Sequence, residues 1–305
     1  MGRVAFVFPG QGAQYPGMGR ELAEVSPAAA EVFRKLDEIR PGTSRLCFEG
    51  STEALQETKN TQPAMFAVEM AAAAALGEAG IHADMTAGFS LGELAALTYA
   101  KIFDISTSFD LVCRRGALMQ EAAEQADTAM AAVVRLDNEA VETLCRQFEQ
   151  VYPVNYNCPG QVSVAGLKTS MPAFSAAVKA AGGRAIPLKV SGGFHSPFMT
   201  QAAESFGALL EDVSFQSPEI PLYSNCTGQP YGGEVKDLLA KQICSPVRWE
   251  AIIRDMIARG ADTFIEVGPG NVLSGLINKI DKNVRTFSVS DKESLSACIS
   301  EVKAC

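Results

Sequence analysis

"MTAGFSLGELAALTYAKI", residues 85–102, joins a short apolar run, Met85 to Phe89, to a stretch of helical composition and spacing, Leu91 to Ile102. Gly88-Phe89-Ser90-Leu91-Gly92 stands at the junction. A G-x-S-x-G sequence there predicts a sharp strand-to-helix turn, because the glycines occupy positions where side chains would clash and the turn lifts the serine hydroxyl clear of the sheet. In other surroundings the same five residues would be only a glycine-lined helix start capped by serine. The flanks favour the turn, and up to about residue 125 short apolar strands alternate with helical stretches, the sign of a parallel sheet covered by helices.

Toward the N-terminus, Val4 to Phe8 reads as a second strand, followed by Pro9-Gly10-Gln11-Gly12. The glycines suggest a phosphate loop. A dinucleotide fingerprint, however, needs a third glycine where Tyr15 stands, and no Gly-Lys-Ser/Thr follows. Another use is needed for these backbone amides.

Toward the C-terminus the pattern changes at about Thr128. Strand-like Ala129 to Leu136, helical Glu139 to Gln150, strands Val151 to Asn157 and Gln161 to Lys168, helix Met171 to Ala181 and strand Arg184 to Ser191 follow in turn. That β-α-β-β-α-β order matches a ferredoxin-like unit of the split βαβ kind. Helix and strand alternation then resumes, ending with strand Thr263 to Val267, the Gly268-Pro269-Gly270 turn and helix Val272 to Ile280. The expected fold class is α/β: a large α/β-hydrolase-like subdomain with a parallel sheet, residues 1–127 and 192–305, carrying Ser90, and an inserted ferredoxin-like small subdomain, residues 128–191.

Composition narrows the function. With 305 residues, 47% of them hydrophobic, the chain can bury a full core. Lys and Arg number 26 against 35 Asp and Glu, a formal charge of −9, and no basic run is long enough to grip a polyanion, so nucleic acid is not an expected partner. The longest apolar stretch, Ala64 to Leu76, is broken by Glu69 and falls short of the roughly 18 residues of a spanning helix. It reads as a buried helix following Pro63, and no membrane association is expected. Met1-Gly2-Arg3 leads directly into the first strand, and Phe6 stands where a myristoylation motif needs Ser or Thr, so a cytoplasmic location is expected. The eight cysteines are scattered, with no C-x-x-C pair and no histidine at zinc-ligand spacing; they read as free thiols, with Cys305 a candidate for reactivity, and no metal is expected.

A serine nucleophile needs a base within hydrogen-bond reach. The chain has two histidines, His82 and His195. His82 lies in a polar connection just before the strand that carries the serine, the setting of an exposed loop residue. His195, in Ser191-Gly192-Gly193-Phe194-His195-Ser196-Pro197, follows the last strand of the small unit, where two glycines permit close backbone approach. We take His195 as the base. Several acids are available to orient it but none is marked by its context, and a backbone carbonyl would serve.

Six segments taken together, FVFPGQGAQ at the N-terminus, GFSLGE at the serine, RRGALMQ at 114–120, VNYNCPGQ at 154–161, GGFHSPFM at 192–199 and EVGPGNVL at 266–273, resemble the malonyl-CoA:acyl carrier protein transacylases of fatty acid synthesis. The resemblance runs in order across nearly the whole chain. It implies Ser90 as the acylated nucleophile and His195 as general base, then acid. It implies the backbone carbonyl of Gln242 as the group orienting His195, and the backbone N–H groups of Gln11 and Leu91 as the oxyanion hole. On that reading the PGQG glycines bring a main-chain donor to a reaction intermediate, where one well-aimed donor is worth roughly 3 kcal/mol. Arg115 would bind the free carboxylate of the malonyl group through parallel hydrogen bonds. The residues alone leave Arg114 and Arg115 unseparated, either being equally a surface arginine on a helix.

Phe194 and Phe198 resemble malonyl-selective members, where bulk near the acyl α-carbon disfavours branched units; ordinary core packing accounts for them equally well. Asn157 and Gln161 match the family's pocket segment and would hydrogen-bond the substrate or satisfy a turn. One position departs from the resemblance: most members carry histidine before the nucleophile, and this chain has Phe89. The resemblance implies malonyl-CoA and phosphopantetheinylated acyl carrier protein as substrates and no bound cofactor. A serine esterase or thioesterase using the same Ser/His pair, an acyltransferase of a polyketide or proofreading system and a catalytically silent binding protein remain as rival readings.

Overall fold

A computed structural model describes residues 2–303 of the chain; Cys305 lies outside them. Among the described residues eight strands form two four-stranded sheets: β1 (Arg3–Phe8), β2 (Met85–Gly88), β7 (Ala261–Val267) and β8 (Arg285–Val289) in the order β2-β1-β7-β8, and β3 (Thr128–Val134), β4 (Val151–Cys158), β5 (Gln161–Leu167) and β6 (Arg184–Pro187) in the order β4-β5-β3-β6.

All pairings in the first sheet are parallel. Its central strands are buried on both faces rather than alternating, the mark of a sheet with helices on either side. Phe6, Phe8, Ile265 and Val267 pack with the long helix Thr58–Glu78 on one face. Ala5, Val7, Met85 and Phe264 pack with helices Trp249–Ala258 and Val272–Ile280 on the other.

The second sheet is antiparallel throughout. With helices Asn138–Cys145 and Met171–Ala180 it has the β-α-β-β-α-β order, and its strand order is that of a ferredoxin-like unit. Period-2 alternation gives it two uses. Ala131, Val133, Val162 and Val164 pack inward with Val141, Phe174 and Val178 of the helices. Ala132, Gln161 and Ser163, their neighbours along the strands, border a cavity on the other face.

The structure differs from the sequence reading at four places. The helix expected over Glu139 to Gln150 ends at Cys145, and residues 146–150 turn back into β4. Pro63 lies inside helix Thr58–Glu78 rather than before it; the ring costs one hydrogen bond near the helix start, while burial of most of the helix supplies the compensating packing. The strand expected over Arg184 to Ser191 ends at Pro187. After a last bond from Leu188 N–H to the Met130 carbonyl, 2.9 Å, the chain leaves the sheet toward the cleft. Finally, the parallel sheet has a fourth strand, β8, whose short, partly polar sequence RTFSV carries no clear strand signal.

Glu69 sits near the middle of helix Thr58–Glu78, 0% exposed, and neither carboxylate oxygen has a hydrogen-bond partner among the described residues. Burial pushes its pKa well above the usual carboxyl range. A carboxyl whose folded pKa is raised contributes most below its unfolded value and loses that contribution as pH rises toward the folded one. Replacing Glu69 with Met is therefore expected to stabilise the protein by about 1–3 kcal/mol at neutral pH. The gain should shrink in acid, and urea midpoints of both proteins at two pH values would check it.

Candidate active site

β1 and β2 run parallel with Phe8 opposite Gly88, so the segments 9–13 and 89–91 leave the same end of the sheet as neighbours. Phe89 N–H donates to the Phe8 carbonyl at 2.9 Å. A Cβ on Gly10 would come within 2.8 Å of the Phe89 carbonyl oxygen, and one on Gly88 within 1.8 Å of the Gly92 carbonyl carbon, so both positions accept only glycine. Ser90 has φ 54°, in the left-handed region that non-glycine residues avoid. Asn225 braces the turn: it accepts from Ser90 N–H at 2.7 Å and its Nδ2 donates to the Gly88 carbonyl at 2.6 Å.

His195 arrives on the segment that follows β6. Gly193 N–H donates to Thr128 Oγ1 at 2.8 Å, tying this segment to β3, and His195 itself takes φ 59°. Its Nε2 lies 2.7 Å from Ser90 Oγ, although the two residues are 105 positions apart. Its Nδ1 lies 3.0 Å from the backbone carbonyl of Gln242, the last residue of helix Val235–Gln242. A carbonyl can only accept, so Nδ1 carries the proton and the Nε2 lone pair faces the serine hydroxyl. His82, by contrast, is exposed.

Helix Ile105–Glu124 separates the two adjacent arginines. Arg114 points outward and pairs with Asp110 at 2.7 Å. Arg115, about 100° further round the helix, is 0% exposed. It donates through Nη1 to Gln62 Oε1 at 2.8 Å and through Nη2 to Gln242 Oε1 at 2.7 Å and Ser90 Oγ at 3.4 Å. Its Nε has no partner among the described residues. Burial lowers its pKa to about 10, with the charge of Glu93 opposing the shift, so it stays cationic at neutral pH. Burial also lowers the His195 pKa to about 4; the neighbouring Arg115 charge adds to the effect and the Gln242 carbonyl opposes it.

Two cavities meet above the serine. The inner one, about 100 Å³, is bordered by Ser90, His195, Gln62, Met119, Met130 and Phe194. The outer one, about 240 Å³, runs between the PGQG loop and the second sheet, past Asn157, Gln161, Ser163 and Leu276. Gln11, Phe89, Asn155 and Leu188 border both. Among the described residues, neither Gln11 N–H nor Leu91 N–H donates a hydrogen bond, and both residues border the inner cavity.

The residues singled out in the sequence thus divide by place. Ser90, His195, Arg115 and Gln242 form one hydrogen-bonded group, with Gln11, Leu91, Phe89 and Phe194 around the cavity. Phe89 stacks edge-on against Trp249, ring centroids 5.5 Å apart. Asn157 and Gln161 belong to the outer cavity, where Asn157 Nδ2 donates to Ser163 Oγ at 3.1 Å and Gln161 Oε1 accepts from Lys279 Nζ at 3.3 Å. Phe198 borders neither cavity; it packs against Tyr152, centroids 5.9 Å apart, which favours the packing reading over the pocket reading.

Four residues of the site escaped sequence reasoning: Gln62, Glu93, Asn155 and Asn225. Glu93 had a visible signal, a charge in the otherwise apolar run LGELAAL. Gln62, Asn155 and Asn225 stand in turn-like or polar company that gives no such contrast.

A serine oxygen activated by an imidazole beside unpartnered main-chain donors is equipped to accept an acyl group and pass it on, the chemistry of an acyltransferase. The acyl transferase domain family matches residues 5–298. The chain is 40% identical to the malonyl CoA-acyl carrier protein transacylase of Bacillus subtilis, over 99% of this chain and 98% of that one. The crystal structure of a malonyl CoA-acyl carrier protein transacylase from Clostridium perfringens superposes with a TM-score of 0.96 at 35% identity, covering 99% of this chain and 98% of that one. A malonyl-transacylase in complex with its type II PKS acyl-carrier protein matches with a TM-score of 0.94 at 34% identity, covering 98% of this chain and 99% of that chain. The chain belongs to the acyl transferase family and, within it, to the malonyl CoA-acyl carrier protein transacylases.

No group of three His, Cys, Asp or Glu side chains among the described residues is arranged to hold a metal ion. No helix among them is long and apolar enough to cross a membrane.

Proposed function

We propose that this chain moves a malonyl group from malonyl-CoA to the phosphopantetheine thiol of an acyl carrier protein through a malonyl-Ser90 ester. The observation that carries the reading is the convergence on Ser90 Oγ of His195 Nε2 at 2.7 Å and Arg115 Nη2 at 3.4 Å, a base and a buried cation on one hydroxyl. Family membership and the carrier complex of a relative support the choice of substrates.

In the first half-reaction His195 Nε2 takes the Ser90 proton as Oγ attacks the thioester carbonyl. The oxyanion accepts from Gln11 N–H and Leu91 N–H, and the donors are in place beforehand, so little reorganisation opposes the step. The C–S bond breaks, and the CoA sulfur leaves with the proton from His195. In the second half the pantetheine thiol gives its proton to His195, attacks the acyl ester, and Ser90 Oγ recovers a proton as it leaves. The Gln242 carbonyl holds His195 in one tautomer throughout. The malonyl carboxylate pairs with Arg115 in the inner cavity, and the pantetheine arm follows the outer cavity along Asn157 and Gln161. The reading needs no metal or redox cofactor and carries a cytoplasmic setting.

Purified protein should load a holo acyl carrier protein from malonyl-CoA, read as the added malonyl mass on the carrier. Release of free malonate with no loaded carrier would replace the transferase by a thioesterase.

A base held neutral by burial also predicts a spectrum. The His195 ring resonances should stay constant between about pH 5.5 and 8, because its pKa is lowered to about 4. With only one other histidine, His82, in the chain, assignment is direct. A His195 titration centred in that interval would contradict the electrostatic account.

A further inference from the structure

We propose that Glu93 is a positioning residue for acyl selection, acting through the side-chain amide of Gln242 on Arg115. This rests on Arg115 as the acyl-carboxylate clamp.

Glu93 lies in the first turn of the helix that follows Ser90 and is 0% exposed. Its Oε1 accepts from Asn225 N–H at 3.0 Å and from the Tyr231 hydroxyl, and its Oε2 accepts from Gln242 Nε2 at 2.7 Å. Gln242 Nε2 also donates to the Ser90 carbonyl at 2.7 Å. With both acceptors on one side, the amide has a single orientation that satisfies it, and its Oε1 is left facing Arg115 Nη2. The backbone carbonyl of the same residue holds His195. Four contacts of one glutamine thus reach Glu93, Ser90, Arg115 and His195.

The interposed amide matters chemically. A carboxylate bonded directly to the guanidinium would occupy the donors that an acyl carboxylate needs. Burial pulls the Glu93 pKa up to about 7, and the Tyr231, Asn225 and Gln242 donors and the Arg115 charge oppose that pull; Glu93 acts on Arg115 from one side chain away, with Gln62 and Gln242 as the direct partners. The buried cation is balanced without being capped, and the incoming carboxylate becomes the first anion to touch it.

Glu93→Gln keeps the shape but replaces one of the two acceptor oxygens with an NH2 donor. The new amide must set an NH2 against Gln242 Nε2 or against the Asn225 N–H, or force the Gln242 amide to turn an NH2 toward Arg115. Each alternative leaves like groups facing in a buried site.

The test is the rate of acyl-Ser90 formation from malonyl-CoA and from acetyl-CoA, read by intact mass, for wild type, Glu93→Gln, Glu93→Asp and Arg115→Ala. Glu93→Gln is expected to lower malonyl kcat/KM by about 10- to 100-fold and acetyl kcat/KM by less than about threefold. Glu93→Asp, which keeps the charge but withdraws the oxygens, should fall between it and wild type, and supplies the ratio if Glu93→Gln does not fold. A purely structural defect lowers the active fraction and scales both substrates equally, so an unchanged malonyl-to-acetyl ratio at position 93 overturns the proposal. If Arg115→Ala shifts the ratio and the Glu93 variants do not, only this proposal fails. If Arg115→Ala does not shift it, the clamp itself is wrong.

Discussion

Replacing Ser90 with alanine is expected to lower malonyl transfer by at least about 10⁴-fold and to remove the acyl adduct from the intact-mass spectrum altogether. The ester oxygen has no substitute at that point: the chain runs from a buried strand through a turn that presents one side chain, and the neighbouring Phe89 and Leu91 carry no nucleophile. Direct exchange between the two thiols is not an alternative route, since on the proposed mechanism both arms use the same outer cavity in turn. Fold should survive the change. The Ser90 N–H bond to Asn225 belongs to the backbone, and alanine meets the same left-handed conformation at a comparable cost of about 1–2 kcal/mol. A malonyl adduct on the Ser90→Ala protein would end the nucleophile assignment.

Arg115→Ala is expected to lower malonyl kcat/KM by about 10²- to 10³-fold, the cost of leaving a desolvated carboxylate without its cation, and to raise acetyl kcat/KM. An acetyl group entering the wild-type cavity leaves the buried guanidinium without its anion; removing the charge abolishes that penalty and frees space beside Gln62, Ser90 and Gln242, the groups it bonds. Stability falls at the same time, because Gln62 and Gln242 each lose a partner and Glu93 loses its counter-charge. The ratio of the two substrates, measured on the folded fraction, is therefore the quantity to read. A ratio equal to wild type would make Arg115 a structural cation only.

Much of the fold was legible because it rests on local patterns. Short apolar strands such as Val4 to Phe8, alternating with helical stretches, announce a parallel sheet covered by helices, and the β-α-β-β-α-β order from about Thr128 announces the second sheet. The G-x-S-x-G turn could be read because its glycines answer a steric demand within five residues. β8 and the early end of β6 were not legible. The first is a strand because β7 offers a free edge, and the second stops because the chain is drawn off to deliver His195.

The site divides along the same line. The chain by itself marked one serine in a strand-to-helix turn as the candidate nucleophile, limited a candidate base to two histidines and marked an N-terminal glycine-containing loop, since each of these depends on residue type and near neighbours. Only the tertiary structure decided that Arg115 rather than Arg114 faces the serine, that Phe198 packs away from the cavity, and that Glu93, Gln242 and Asn225 converge beneath Ser90. Those outcomes depend on helix phase and on contacts between segments more than a hundred residues apart, and the direction in which a buried polar side chain finds its partner is written in the packing of the whole chain.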